Sequence, residues 1–178
     1  MAIIIYIKKR FPNDAPTDAY LADALSAYGK TQHVPCGGAA VRRTPKGKPY
    51  TDCPDVHISI SHTKTHLFTA VGNIPFGIDA EPIGRTLTRQ TAVCRRFFSP
   101  KEQQALAESA DFTADFLWLW VKKEAFLKYR GTGLSDLKKA DTTRLAGRFE
   151  TFCAAGHQIA VYTEMDVGKI EIQDQINP

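Results

Sequence analysis

The longest apolar run in the chain is short. Residues 2–7 (AIIIYI) are stopped at once by Lys8-Lys9-Arg10. So brief a run, rich in β-branched isoleucine, predicts a strand. It is far below the roughly 20 apolar residues that a membrane helix needs. A secretory leader puts its charge before the apolar stretch, and here the order is reversed. The chain is therefore expected to be cytoplasmic, with no membrane partner. At 178 residues, it is long enough for one domain or two small halves packed as a unit.

Charge narrows the classes of partner. With 23 basic and 19 acidic side chains, the net charge is +4. That is too weak to demand nucleic acid, but it suits an anionic ligand or an acidic protein. Cys36, Cys53, Cys94 and Cys153 are scattered, with no CxxC. Neither a zinc site nor a disulfide is expected, and free thiols are the plain reading.

Strands and helices follow one another without strict alternation, which predicts an α+β fold. A short helix over 18–28 is expected to end at Gly29. Residues 36–54, rich in Gly, Pro, Arg and Lys, read as a loop. Strands are expected over 56–61 and 67–71, joined by the turn 62–66, and again over 76–81. Ser99-Pro100-Lys101-Glu102 carries a capping serine, proline at the first helical position and glutamate at the third, a capping box. A longer helix is expected over 113–129, closed by Gly131 and Gly133. The tail reads as a hairpin, 148–153 and 158–164, then a strand over 169–172.

Four features carry chemistry. On the strand 76–81, Phe76, Ile78 and Ala80 share one face, while Asp79 and Glu81 share the other, with α-carbons roughly 6.5 Å apart. Two carboxylates so close repel unless a cation lies between them; a solvated strand face is the alternative. On the long helix, Phe112, Phe116, Trp120 and Leu127 form an apolar stripe, and a step of four from Trp120 lands on Glu124. A carboxylate on that face needs a partner. It is either Lys128, four residues on, or a metal shared with Asp79 and Glu81, for which hard oxygens suit Mg²⁺ or Mn²⁺. Arg42, Arg43, Lys46 and Lys48 lie in the Gly/Pro loop, which either cradles a phosphate or is solvated surface. Ser59-Ile60-Ser61-His62-Thr63 ends a strand, with no G-x-S-x-G around either serine.

Together and in order, these features resemble the 4′-phosphopantetheinyl transferases, which load carrier proteins with the arm of coenzyme A. Gly47-Lys48-Pro49 is similar to the family's first motif, and Ile58-Ser59-Ile60-Ser61-His62-Thr63 to its strand end. Gly77-Ile78-Asp79-Ala80-Glu81 resembles G-[IV]-D-x-E. The stretch from Trp120 through Lys122-Lys123-Glu124-Ala125 to Lys128 resembles W-x-x-K-E-[AS]-x-x-K. Arg95-Arg96-Phe97-Phe98-Ser99 with Glu102 resembles R-F-F-[ST]-x-x-E.

The resemblance implies the longer type of the family, since 76 residues precede Gly77. That type is a monomer of two similar α+β halves related by a pseudo-twofold axis. Residues 1–75 would be the half with the coenzyme A loop, and 76–178 the half with the metal carboxylates. Asp79, Glu81 and Glu124 would hold Mg²⁺, or Mn²⁺, on the pyrophosphate of coenzyme A, and Asp79, Glu124 and Lys128 would carry catalysis. Gly47, Lys48, Pro49, Ser61, His62, Lys123 and Lys128 would contact the coenzyme. In this type an early helix often carries basic residues for the 3′-phosphate. Residues 18–28 hold no Lys or Arg, which leaves Arg42, Arg43 and Lys46. The protein partner would be an acidic apo carrier protein, meeting residues 86–98 unless that segment packs Phe97 and Phe98 into the core. Alternatives are another Mg²⁺-dependent nuclease or nucleotidyl transferase, or a coenzyme A-binding module of the same fold without catalysis.

Overall fold

The structure is a computed structural model, and it describes residues 1–11, 14–36, 38–85 and 88–174. The fold is α+β. In chain order the elements are β1 (Ala2–Lys9), α1 (Thr17–Gln32), β2 (Val41–Arg43), β3 (Pro49–Thr51), β4 (His57–His62), β5 (His66–Gly72) and β6 (Gly77–Pro82). Then come α2 (Gln90–Phe97), α3 (Pro100–Ala107), α4 (Phe112–Arg130), a 3-10 turn (Leu134–Lys139), β7 (Arg148–Ala154), β8 (His157–Thr163) and β9 (Lys169–Asp174).

Two sheets carry the chain. The larger has the order β4-β5-β1-β9, the smaller β6-β8-β7. The first strand explains its own composition. Ile3, Ile5 and Ile7 face the smaller sheet and join Ile78, Ala80, Ile159 and Val161. Ile4 and Tyr6 face the other way, onto Leu21, Leu25 and Tyr28 of α1. A strand covered on both sides reads as an unbroken apolar run. Beyond the smaller sheet, Val121 and Ala125 of α4 pack on Ala160 and Tyr162. The layers therefore run α1, large sheet, small sheet, α4. Among the described residues no helix is long and apolar enough to cross a membrane.

Several expectations meet corrections. The first helix runs through Gly29 to Gln32, and His33 is the left-handed residue that ends it. A Cβ on Gly29 would sit 2.8 Å from the Val34 carbonyl oxygen, so the glycine serves a close approach and not a stop. Residues 36–54 are more than a loop. Val41–Arg43 and Pro49–Thr51 pair as a hairpin, and Cys36 is disulfide-bonded to Cys53 across it, with α-carbons 5.5 Å apart. The expected free thiols are Cys94 and Cys153 alone. Pairing across 17 residues leaves no local signature; the folded hairpin brings the two ends together. The last strand also leaves the second half: β9 lies parallel to β1, so a C-terminal segment completes the N-terminal sheet.

The helices after β6 match their local signals. Ser99 caps α3 with the reciprocal Glu102 bond, and α4 ends at Gly131 with φ 66°. α2 buries Cys94, and Phe98 stacks on Phe116 at 5.1 Å. Phe98 is thus core and not docking surface; Thr86, at the start of the docking segment, lies with Leu87 outside the described residues.

Candidate active site

β6 sets the site by its period of two. Ile78 and Ala80 go into the core between the sheets, so Asp79 and Glu81 face α4. Strand and helix touch closely here. A Cβ on Gly77 would lie 2.2 Å from the Ala125 carbonyl oxygen, so only glycine lets β6 approach α4. The approach sets Asp79 beside Lys128, whose Nζ donates to Asp79 Oδ1 at 2.7 Å. Lys128 thus pairs with Asp79, not with Glu124 one turn before it.

The edge of β6 is completed from the other sheet. The N–H groups of Ile78 and Ala80 donate to the hydroxyls of Ser59 and Ser61 on β4, at 3.1 and 3.2 Å. Ser61 Oγ donates onward to Asp79 Oδ1 at 2.9 Å. The alternation Ser59-Ile60-Ser61 puts both hydroxyls on one face, and this is how β4 closes an edge it does not pair with.

Asp79, Glu81 and Glu124 line one cavity with Lys128, His62 and Arg43. An adjoining cavity is walled by Lys46, Gly47, Lys48 and Pro49, and it shares Arg43, Glu124 and Lys128 with the first. The carboxylates there are poorly compensated. Asp79 is 4% exposed, and its Oδ2 has no hydrogen-bond partner among the described residues. Burial pushes the Glu124 carboxyl up to about 7, with the negative charge of Asp79 adding to it. Burial also raises Glu81, against the pull of its ion pair with Arg85. No three His, Cys, Asp or Glu side chains among the described residues stand close enough to hold a cation as they are. Even so, an orphaned buried acceptor beside two carboxylates of raised proton affinity is a hard-oxygen set that fits a divalent ion such as Mg²⁺.

The cations divide. Lys48 is half-buried, and its Nζ donates to the Tyr129 carbonyl, which covers the C-terminal end of α4. Burial lowers its pKa. His62 is likewise lowered, by burial first and then by Arg10 and Lys128. Two expected coenzyme contacts are not brought to the cavities. Arg42 alternates with Arg43 along β2, points away, and meets Asp52 at 3.6 Å. Lys123 is fully buried on another face of α4, 2.7 Å from Glu102 and 4.7 Å from the centre of the Phe98 ring. Lys123 lines neither of the cavities that Glu124 and Lys128 share.

Sequence reading missed Glu102 in this role. It was legible as a helix cap, but its carboxylate also receives Lys123 and the N–H and hydroxyl of Thr142. It missed Ser59 as a hydrogen-bond acceptor, and it missed Asp18, which stands over the carboxylate cavity from the first turn of α1.

The pattern recurs in known proteins. The relatives found include a 4′-phosphopantetheinyl transferase of Bacillus subtilis, 40% identical over 92 residues, which are 50% of this chain and 40% of that protein. They also include the 4′-phosphopantetheinyl transferase Sfp of B. subtilis strain 168, 39% identical over 92 residues with the same coverage. A third, psf-1 of Bacillus pumilus, is 38% identical over 103 residues, 56% of this chain and 43% of the relative. The match thus spans less than half the length of these relatives. Residues 75–173, which carry Asp79, Glu81, Glu124 and Lys128, match the family model as well, and on that match the chain belongs to the 4′-phosphopantetheinyl transferase superfamily.

Proposed function

We propose that the protein transfers the 4′-phosphopantetheine arm of coenzyme A to a serine of an apo carrier protein and releases adenosine 3′,5′-bisphosphate. The observation that carries this reading is the junction of the two cavities. Three carboxylates line one side, Lys46 and Lys48 the other, and Arg43, Glu124 and Lys128 belong to both. That arrangement suits a diphosphate lying across it, with a divalent ion on the acidic side.

Asp79, Glu81 and Glu124 are the residues to hold Mg²⁺, or Mn²⁺ in its place. When bound, the ion would neutralise charge on the diphosphate oxygens. Lys128 and Lys48 flank the same oxygens, and Gly47 and Pro49 give the nucleotide an apolar wall. The carrier serine Oγ attacks the β-phosphorus. The bond from that phosphorus to the bridging oxygen breaks, and the oxygen leaves with adenosine 3′,5′-bisphosphate. The serine proton goes to Glu124, or to a water held beside it. Positioning and charge compensation supply most of the acceleration in such transfers.

One chain supplies both walls of the cleft, which favours a monomer. Each sheet carries a helix on its outer face, which favours two halves related by a pseudo-twofold axis. An acidic carrier would meet the exposed arginines of α2, Arg95 and Arg96, with Arg89 just before it. The cytoplasm, where coenzyme A and carriers are made, is the proposed location.

The test is intact-protein mass spectrometry of apo carriers incubated with this protein, coenzyme A and Mg²⁺. A mass gain equal to phosphopantetheine, lost with EDTA, is expected. Coenzyme A binding without transfer to any carrier would reduce the reading to a binding module.

A further inference from the structure

The Arg43 guanidinium is held from two sides. Its Nη1 donates to the Gly47 carbonyl at 2.8 Å, which aims it from the tip of its own hairpin. Its Nε lies 3.2 Å from each oxygen of Asp18, and its Nη2 reaches Asp18 as well. The Nε/Nη2 edge is the fork that matches a carboxylate or a phosphate in bidentate fashion. Arg43 lines both cavities, and Asp18 lines the one with Asp79, Glu81 and Glu124. A fourth carboxylate therefore stands in a cavity where an anionic substrate must enter. The pair is not a structural necessity, because both side chains are partly exposed.

Resting on the function proposed above, we propose that Asp18 is a stand-in for the 3′-phosphate of coenzyme A, holding the fork of Arg43 until that phosphate displaces it. The chemistry selects the ligand. A phosphate monoester carries about 1.5 to 2 negative charges at neutral pH, against one on a carboxylate, so it outbids Asp18 for the fork. The diphosphate oxygens carry one charge each and gain nothing by the exchange. Gly47 keeps the guanidinium aimed while the partner changes. Asp18 loses its ion pair but stays in the first turn of a 16-residue helix, where negative charge is favoured. Asp18 would thus set a threshold: nucleotides without the monoester leave the latch closed.

The experiment is titration calorimetry of wild type and Asp18→Asn with coenzyme A and with 3′-dephospho-coenzyme A, both with Mg²⁺. An exposed ion pair is worth little, so Asp18→Asn should bind coenzyme A about two- to fivefold more tightly and 3′-dephospho-coenzyme A unchanged. Asp18→Ser, which also removes the carboxylate, should repeat the result and exclude an effect of asparagine itself. Equal tightening of both ligands would mean general relief of negative charge, and weaker coenzyme A binding would mean that Asp18 positions Arg43; either overturns the proposal. Arg43→Gln should erase the preference for coenzyme A over its dephospho form. If the preference survives, the latch is wrong while the transferase reading stands. If wild type binds neither ligand, both fall.

Discussion

Ser61 and Asp79, on facing edges of the two sheets, share one hydrogen bond of 2.9 Å, while Ser61 also accepts the N–H of Ala80. The hydroxyl thus both closes a strand edge and aims a carboxylate. Ser61→Ala should strand the Ala80 N–H, at a cost of about 1–3 kcal/mol, and free Asp79 to turn. Removing a group that orients a metal ligand typically costs about 10–100-fold in metal affinity or activity. The expected outcome is a lowered melting temperature together with weaker Mg²⁺ activation. An unchanged Mg²⁺ dependence would show that Lys128 alone orients Asp79.

The carboxylates themselves should behave differently. Asp79→Asn keeps the shape and removes a charge that repels Glu124. Transfer should be abolished while the melting temperature holds or rises. Near-normal turnover in either Asp79→Asn or Glu124→Ala would remove these residues from the metal set.

Lys123 separates a buried strut from a phosphate ligand. It is 0% exposed and paired with an equally buried Glu102. Breaking such a pair from one side costs about 3–5 kcal/mol. Lys123→Met should therefore melt many degrees lower, with a coenzyme A affinity near wild type in whatever folds. Lys128→Met should instead lose coenzyme A affinity, because Lys128 lines both cavities, with a smaller fall in melting temperature from leaving Asp79 unpaired. A stable Lys123→Met protein with poor coenzyme A binding would refute the assignment.

This contrast also shows what was legible in the sequence. The two periods put Asp79 with Glu81 on one face of β6 and Glu124 with Lys128 on one face of α4, while the meeting of those faces rested on the motif resemblance. The same period of 3.6 sets Lys123 aside, whereas motif similarity alone counts it with Lys128. Local chemistry named the Ser99 cap and the Gly131 stop. What stayed hidden was pairing between distant segments: β9 against β1, the Cys36–Cys53 bridge, Glu102 under Lys123, and Asp18 on Arg43. Each joins residues whose own surroundings in the chain look like ordinary surface or cap. None follows from a local pattern, because tertiary packing selects the partner.

Glu124 makes the metal response depend on pH. Its carboxyl is raised from 4.5 to about 7 in the folded, metal-free protein. Between those values the folded state keeps a proton that the unfolded chain has lost. The stability this group contributes is full below about 4.5 and is lost as pH rises through about 7. A divalent ion needs the deprotonated carboxylate. The rise in melting temperature caused by Mg²⁺ should therefore be small near pH 6 and larger near pH 8. In Glu124→Gln the growth with pH should shrink. An equal Mg²⁺ effect at both pH values in wild type would count against Glu124 as a ligand.

The bridge between Cys36 and Cys53 ties down the hairpin that carries Arg43, Lys46 and Lys48. The two half-cystines are 1% and 5% exposed and pack with Leu25 and Tyr28 of α1. Closing a loop of this length is worth about 3 kcal/mol, chiefly by restricting the unfolded chain. Reduction should lower the melting temperature by about 6–12 °C, at roughly 2–4 °C per kcal/mol for a chain of this size. It should also raise KM for coenzyme A more than it lowers kcat, because the loosened hairpin carries Arg43, Lys46 and Lys48 and none of the three carboxylates. The Cys36→Ser, Cys53→Ser double variant should show both changes without reductant and no further response to it. If reductant leaves wild type unaltered in melting temperature and KM, the hairpin is held by its packing on α1, and the bridge contributes nothing to the site.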